Sequence, residues 1–144
     1  MVYELYPDAI KIPNNEGMLP LHVASLESEC EDIVKMLYNF YPTAIKSKDI
    51  DGLLPLHFAA MNDTNINIWQ IIYEFYPEGV KCKNDRGLLP LHCIAENKFN
   101  IDILNLIYNL YPDAIKISTN CGNLLLHLVA AAALDFNVDI LEPI

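Results

Sequence analysis

Gly52-Leu53-Leu54-Pro55-Leu56-His57 decides the fold, because the pattern returns at Gly17 to His22 and Gly87 to His92, and in degenerate form at Gly122 to His127. The spacing is 35 residues each time. Tyr6-Pro7, Tyr41-Pro42, Tyr76-Pro77 and Tyr111-Pro112 keep the same register, and the heptapeptide Tyr6 to Ile12 reappears unchanged as Tyr111 to Ile117. A fixed period of this length means that each unit is one supersecondary element whose apolar face is covered only by its neighbours. The chain is an array of repeats, and its function is to be sought on a surface.

One unit reads as turn, helix, turn, helix. Pro55 stands where a helix begins, a position that tolerates proline because the missing N–H would be unpaired there anyway. Leu56, Ala59 and Ala60 continue a short first helix, with alanines small enough for close approach of a neighbour. Met61 to Asn67 is polar, and Ile68, Trp69, Ile71, Ile72 and Phe75 then give a second, amphipathic helix that Tyr76-Pro77 ends. Asp32, Asn67, Asp102 and Asp139 recur before this second helix and are expected to cap it. Lys81 to Gly87 is turn-prone and reads as a projecting finger or β-hairpin turn. The paired helices are expected to be antiparallel, with the fingers along one edge.

The repeats occupy nearly all of the 144 residues and leave no room for a separate catalytic domain. An apolar fraction of 53% suits a thin solenoid in which most helix faces meet another repeat. The net charge of -10 disfavours nucleic acid and anionic membranes. Charge is segregated: the segments from Lys11, Lys46, Lys81 and Lys116 to the next motif glycine sum to +3, and the remainder to -13. The N-terminal sequence lacks the basic and apolar regions of a secretory signal, and Leu124 to Leu134 is too short to span a bilayer. Cys30, Cys82, Cys93 and Cys121 occupy unrelated repeat positions without a Cys-x-x-Cys pair, which reads as reduced, structural thiols of an intracellular protein, cytoplasmic or nuclear.

A two-helix tetratricopeptide repeat has nearly this period, but the motif points elsewhere. Gly52, Pro55, Leu56, His57, Ala59 and Ala60, with Ile33-Val34 and Leu37-Tyr38, resemble the ankyrin repeat, whose consensus carries Gly-x-Thr-Pro-Leu-His-x-Ala-Ala and later Ile-Val-x-x-Leu-Leu. The resemblance covers roughly residues 7 to 144. It implies an all-α ankyrin-repeat solenoid of paired antiparallel helices with projecting hairpin or finger loops. The units are read as 7–41, 42–76, 77–111 and a degenerate or truncated 112–144, with 1–6 as the tail of a preceding repeat. The family's usual Thr is here Leu19, Leu54, Leu89 and Leu124, so its hydroxyl is absent from every turn. Where the family often has Asn in the finger, this chain has Lys11, Lys46, Lys81 and Lys116.

His22, His57, His92 and His127 form a ladder that superficially suggests metal. Neighbouring helices lie about 8–10 Å apart, whereas Zn–N bonds are about 2.0–2.1 Å, so stacked copies do not converge and a structural role bonding backbone is expected. The pairs Tyr38 with Tyr41, Tyr73 with Tyr76 and Tyr108 with Tyr111 read as a stacked ladder at helix ends, and Trp69 as packing between repeats. No nucleophile, acid/base pair, phosphate-cradling loop or cofactor site is discernible.

In ankyrin repeats the residue after the motif glycine tends to face the concave surface. Here it is Met18, Leu53, Leu88 and Asn123, which implies a short apolar stripe or, equally, residues tucked under the fingers. The expected contacts for another protein are Met18, Leu53, Leu88, Lys48, Lys83, Asp85 and Arg86. The alternative is a structural spacer or capping segment of a larger protein, with regulation of an attached enzyme as a third possibility. Tyr3 to Pro7 matches Tyr73 to Pro77, and Phe136 to Leu141 resembles Phe99 to Leu104, so the chain reads as a fragment of a longer array capable of end-to-end self-association.

Overall fold

The computed structural model describes residues 7–62, 65–96 and 101–136. Helices α1 (Pro20–Glu27), α3 (Pro55–Met61), α5 (Pro90–Glu96) and α7 (Leu125–Phe136) begin at the motif. Helices α2 (Glu31–Phe40), α4 (Ile66–Phe75) and α6 (Ile101–Leu110) follow as partners. The described residues contain no strand. Tyr41-Pro42, Tyr76-Pro77 and Tyr111-Pro112 each end a partner helix and open a short 3₁₀ turn, as at Pro42–Lys46 and Pro77–Lys81, because proline presets the turn's first φ and cannot continue the helix. The motif helices pack in series, α1 on α3, α3 on α5 and α5 on α7, while α2 and α4 form an outer layer.

Leu21, Leu56 and Leu91 lie between successive inner helices, and Val34, Ile68, Trp69 and Ile72 between the layers, all buried. Trp69, expected to pack between repeats, is fully buried in this core. The alanine-rich stretch of the fourth unit does not shorten its helix: α7 runs for 12 residues, against 7 or 8 in the other inner helices. Residues 1–6 and 137–144, which carry the reading of truncated ends and the cap at Asp139, lie outside the described residues.

The cap assignments need correction. In the second unit Asn65 is the cap and its side chain accepts from the Asn67 N–H, so Asn67 lies inside the first turn. Asp32 and Asp102 are likewise in first turns, where a carboxylate still favours the helix dipole. The displaced asparagines sew the second unit to the first instead. The Asn62 amide donates to the carbonyls of Ser25 and Ser28, both at 3.1 Å, and that of Asn67 to the Glu31 carboxylate at 2.8 Å.

The histidine ladder replaces the missing hydroxyls. Nδ1 of His22, His57, His92 and His127 accepts from the N–H of Leu19, Leu54, Leu89 and Leu124 at 2.9–3.1 Å. An acceptor at Nδ1 places the proton on Nε2, which donates to the next repeat: to the carbonyls of Ser47 at 2.8 Å, Leu88 at 3.1 Å and Ile117 at 3.0 Å. Each ring therefore closes its own turn, and those of His22, His57 and His92 also tie their repeats to the following ones. Burial lowers all three of these pKa values against the partial compensation of the backbone bonds, that of His57 to about 4. Among the described residues no group of His, Cys, Asp and Glu could hold a metal ion.

The fingers stack directly. Asn14, Asp49, Asn84 and Thr119 each accept backbone N–H groups from the turn that follows, a side-chain brace at the repeat period. One backbone bond then joins each finger to the next, from Ile50 to Glu16 at 3.1 Å, Asp85 to Asp51 at 3.0 Å and Asn120 to Arg86 at 3.0 Å. Gly52 stands in the left-handed region at φ +80°, and a Cβ there would lie 2.9 Å from the Asp85 nitrogen. Gly122 has φ +78° but open space around it. Gly122→Ala is expected to cost the left-handed strain alone, about 1–2 kcal/mol. Gly52→Ala carries that strain and splays two fingers, so it should cost clearly more; equal denaturant midpoints would contradict the stacking.

Candidate concave-face binding site

The third finger and the inner helices α3 and α5 enclose a cleft of about 360 Å³. Leu53, Met61 and Leu88 supply apolar lining, with Cys93 beside them. Asp51 and Arg86 line the finger side, and Glu96 stands at the end of α5. Arg86 reaches across to Glu96 in a two-pronged ion pair, with N–O distances of 3.0 and 2.9 Å. A forked geometry of this kind fixes orientation as well as adding energy. The pair ties a finger to a helix end.

Of the expected contact residues, Leu53, Leu88 and Arg86 come together in this cleft. Met18, Lys48, Lys83 and Asp85 do not line it. Met18 and Leu53 are half-buried, whereas Leu88 is only 2% exposed, so the expected stripe of three exposed apolar residues is not present. At Leu88 the tucked-under reading holds. Its N–H is held by Asn84 and its carbonyl by His57, which draws the residue in under the finger. Lys48, Lys83 and Asp85 are exposed on the finger row.

Sequence reasoning missed Asp51, Met61, Asn84, Cys93 and Glu96. Met61 and Cys93 belong to helix ends and faces whose approach to a finger depends on how the finger bends. Burial pushes the Cys93 thiol up to about 12, with Glu96 adding to the effect and Arg86 opposing it, so this sulfur is no nucleophile. None of the four cysteines is in a disulfide: Cys93 is buried, Cys82 partly so, and Cys30 and Cys121 are exposed.

The lysines of the 3₁₀ turns take a role apart from the cleft. Lys11, Lys46 and Lys81 lie over the rings of Tyr41, Tyr76 and Tyr111 at 5.3–5.9 Å, each joining the start of its unit to the tyrosine at that unit's end. Among the described residues the ring stacking is accordingly not tyrosine on tyrosine. Tyr38 stacks on Phe75 at 3.8 Å and Trp69 on Tyr73 at 5.1 Å, and the Tyr-Pro rings are faced by lysine instead.

Residues 21–120 match the family description "Ankyrin repeats (3 copies)". The chain belongs to the ankyrin-repeat family. Ankyrin repeats are in general protein-interaction modules, and they are typically non-catalytic. No curated protein matches this ankyrin-repeat chain in sequence. Among the described residues of the array, no helix is long and apolar enough to cross a membrane.

Proposed function

We propose that this ankyrin array is a non-catalytic protein-interaction module whose contact surface is the concave cleft between the fingers and the inner helices. The observation that carries this reading is the cleft itself, in which an apolar lining of Leu53, Met61 and Leu88 adjoins the Asp51 carboxylate and the Arg86–Glu96 pair. Apolar contact supplies affinity, and flanking charge supplies orientation and partner choice. Lys48, Lys83 and Asp85 extend the polar rim along the finger row, and Met18 extends the apolar part toward the first unit. Cysteines outside any disulfide suit a reducing, intracellular setting.

Leu53 is the position to test, because it is half-buried and borders the cleft. Leu53→Asp is expected to keep the helical circular dichroism of the parent and to abolish capture of its partner from a lysate. Leu88→Asp is unsuitable, since a carboxylate at a position 2% exposed would unfold the site. A partner held equally by parent and Leu53→Asp would exclude the cleft. Absence of any captured partner would favour the spacer reading.

A further inference from the structure

We propose that the concave cleft recognises an extended protein segment in which an arginine or lysine stands beside a large aliphatic side chain. The partner's chemistry follows from which finger charges are already committed, given the concave-cleft reading on which it rests. Lys11, Lys46 and Lys81 face tyrosine rings at the far ends of their units, and Lys11 and Lys81 also pair with Asp8 and Glu78. Lys48 and Lys83 stand on the finger row outside the cleft. Arg86 is held at both prongs by Glu96. The Asp49 carboxylate accepts from the N–H groups of Asp51 and Leu53 at 3.0 and 2.8 Å, so it serves the turn. Asp51 is different. Its backbone joins the finger stack, but among the described residues its carboxylate has neither a cation nor a hydrogen-bond donor. The fingers carry a surplus of positive charge in sequence, yet among the described residues the uncommitted charge lining the cleft is negative.

Asn84 supplies a second unfilled group. It is only 8% exposed and lines the cleft. Its Oδ1 accepts from the N–H groups of Arg86 and Leu88, both at 2.9 Å, which leaves the amide nitrogen without a partner among the described residues. Covered polar groups are as a rule paired, and this one is the end offered to a main-chain carbonyl of an occupant. Leu53 and Met61, both half-buried, give the same cleft its apolar surface, and the unbranched Met61 adapts to side chains of varied shape. At about 360 Å³ the cleft lies near the lower limit of ligand sites, about 300 Å³, which leaves room for a few side chains of an extended segment. Arginine and lysine join a long apolar stem to a positive head, so the stem lies along Leu53 and Met61 while the head reaches Asp51. An acidic segment would meet the unpaired Asp51 carboxylate and an Arg86 already filled by Glu96. The net charge of -10 draws a basic segment in the same direction.

The test is fluorescence polarisation with short labelled peptides of alanine and serine that carry Leu-Arg, Leu-Glu or Leu-Ser at the centre. The parent is expected to bind the Leu-Arg peptide about fivefold more tightly than the Leu-Ser peptide, the upper end of what an exposed ion pair contributes, and the Leu-Glu peptide least of all. Asp51→Asn keeps the size of an exposed side chain, so it should keep the parental circular dichroism and bind Leu-Arg and Leu-Ser alike; Asp51→Ser repeats the test without an amide. Arg86→Gln releases Glu96 and removes a cation, and it should tighten Leu-Arg alone. Leu53→Ser removes apolar contact without changing charge and should weaken all three. Leu-Glu or Leu-Ser bound as tightly as Leu-Arg overturns the proposal; if Leu53→Ser still weakens that binding, the cleft itself stands as the contact surface. A preference for Leu-Arg that survives both Asp51 variants means that charge is read elsewhere and overturns it equally. So does the failure of all three peptides to bind at about 1 mM, the weak end of specific association, and the concave-cleft reading is then decided by lysate capture with Leu53→Asp.

Discussion

His57→Ala is expected to lower the unfolding free energy by about 3 kcal/mol or more, a large share of the 5–15 kcal/mol that stabilises an ordinary domain. The ring is fully buried and satisfied at both nitrogens. Removing it strands the Leu54 N–H in the interior, a loss of about 1–3 kcal/mol, and leaves a cavity that adds to it. It also severs the bond from the second unit to the Leu88 carbonyl, the same backbone that forms the cleft. Urea denaturation followed by circular dichroism measures the loss. The internal control is His127→Ala: that ring is exposed and has only its own Leu124 turn to close, so the effect should be a fraction of the first. Similar losses at the two positions would show that the ladder does not join repeats.

Acid is expected to act on the same bonds. His57 has a pKa of about 4 in the folded chain because of burial, against about 6.5 when unfolded, so the unfolded state takes up protons first. Its contribution is fully present above about pH 6.5, falls as the pH drops toward 4, and changes no further below that. Over that window His57 alone accounts for about 3 kcal/mol. His22 and His92 are lowered by burial as well and add in the same direction. Protonation at Nδ1 abolishes the acceptor for the leucine N–H, so one proton breaks one turn. The check is a set of urea midpoints between neutral pH and pH 4, for the parent and for His57→Ala. The variant should show a shallower pH dependence; parallel slopes would place the acid sensitivity elsewhere.

Much of the architecture was legible because periodicity is a global signal. Four copies of Gly-x-Leu-x-Leu-His or its variant fix where helices start, and Pro55 and Tyr76-Pro77 mark boundaries that side-chain chemistry alone enforces. The caps were misplaced by two residues, since Asp or Asn near a helix start is favourable both as cap and inside the first turn, and composition does not separate the two. The finger braces Asn14, Asp49, Asn84 and Thr119 lie at the repeat spacing, but they are three residue types whose shared acceptor role shows only in the hydrogen bonds of the folded finger. The cleft was half legible. Leu53 and Leu88 occupy the same repeat position, yet one is half-buried and the other closed in, because burial is decided by the neighbouring finger and helix rather than by the residue. Arg86 and Glu96 are ten positions apart across a turn, a separation with no periodic meaning until the finger's path is known.

Trp69 gives the molecule an internal optical gauge. It is the single tryptophan of the chain, fully buried in the second unit and stacked on Tyr73, with an indole N–H that has no hydrogen-bond partner. Its emission reports on the middle of the array alone, while circular dichroism sums over every helix. In a solenoid whose units contact only their neighbours, the outer repeats can melt before the centre. The gap in temperature between the two signals then reads out how strongly one repeat feels the loss of the next.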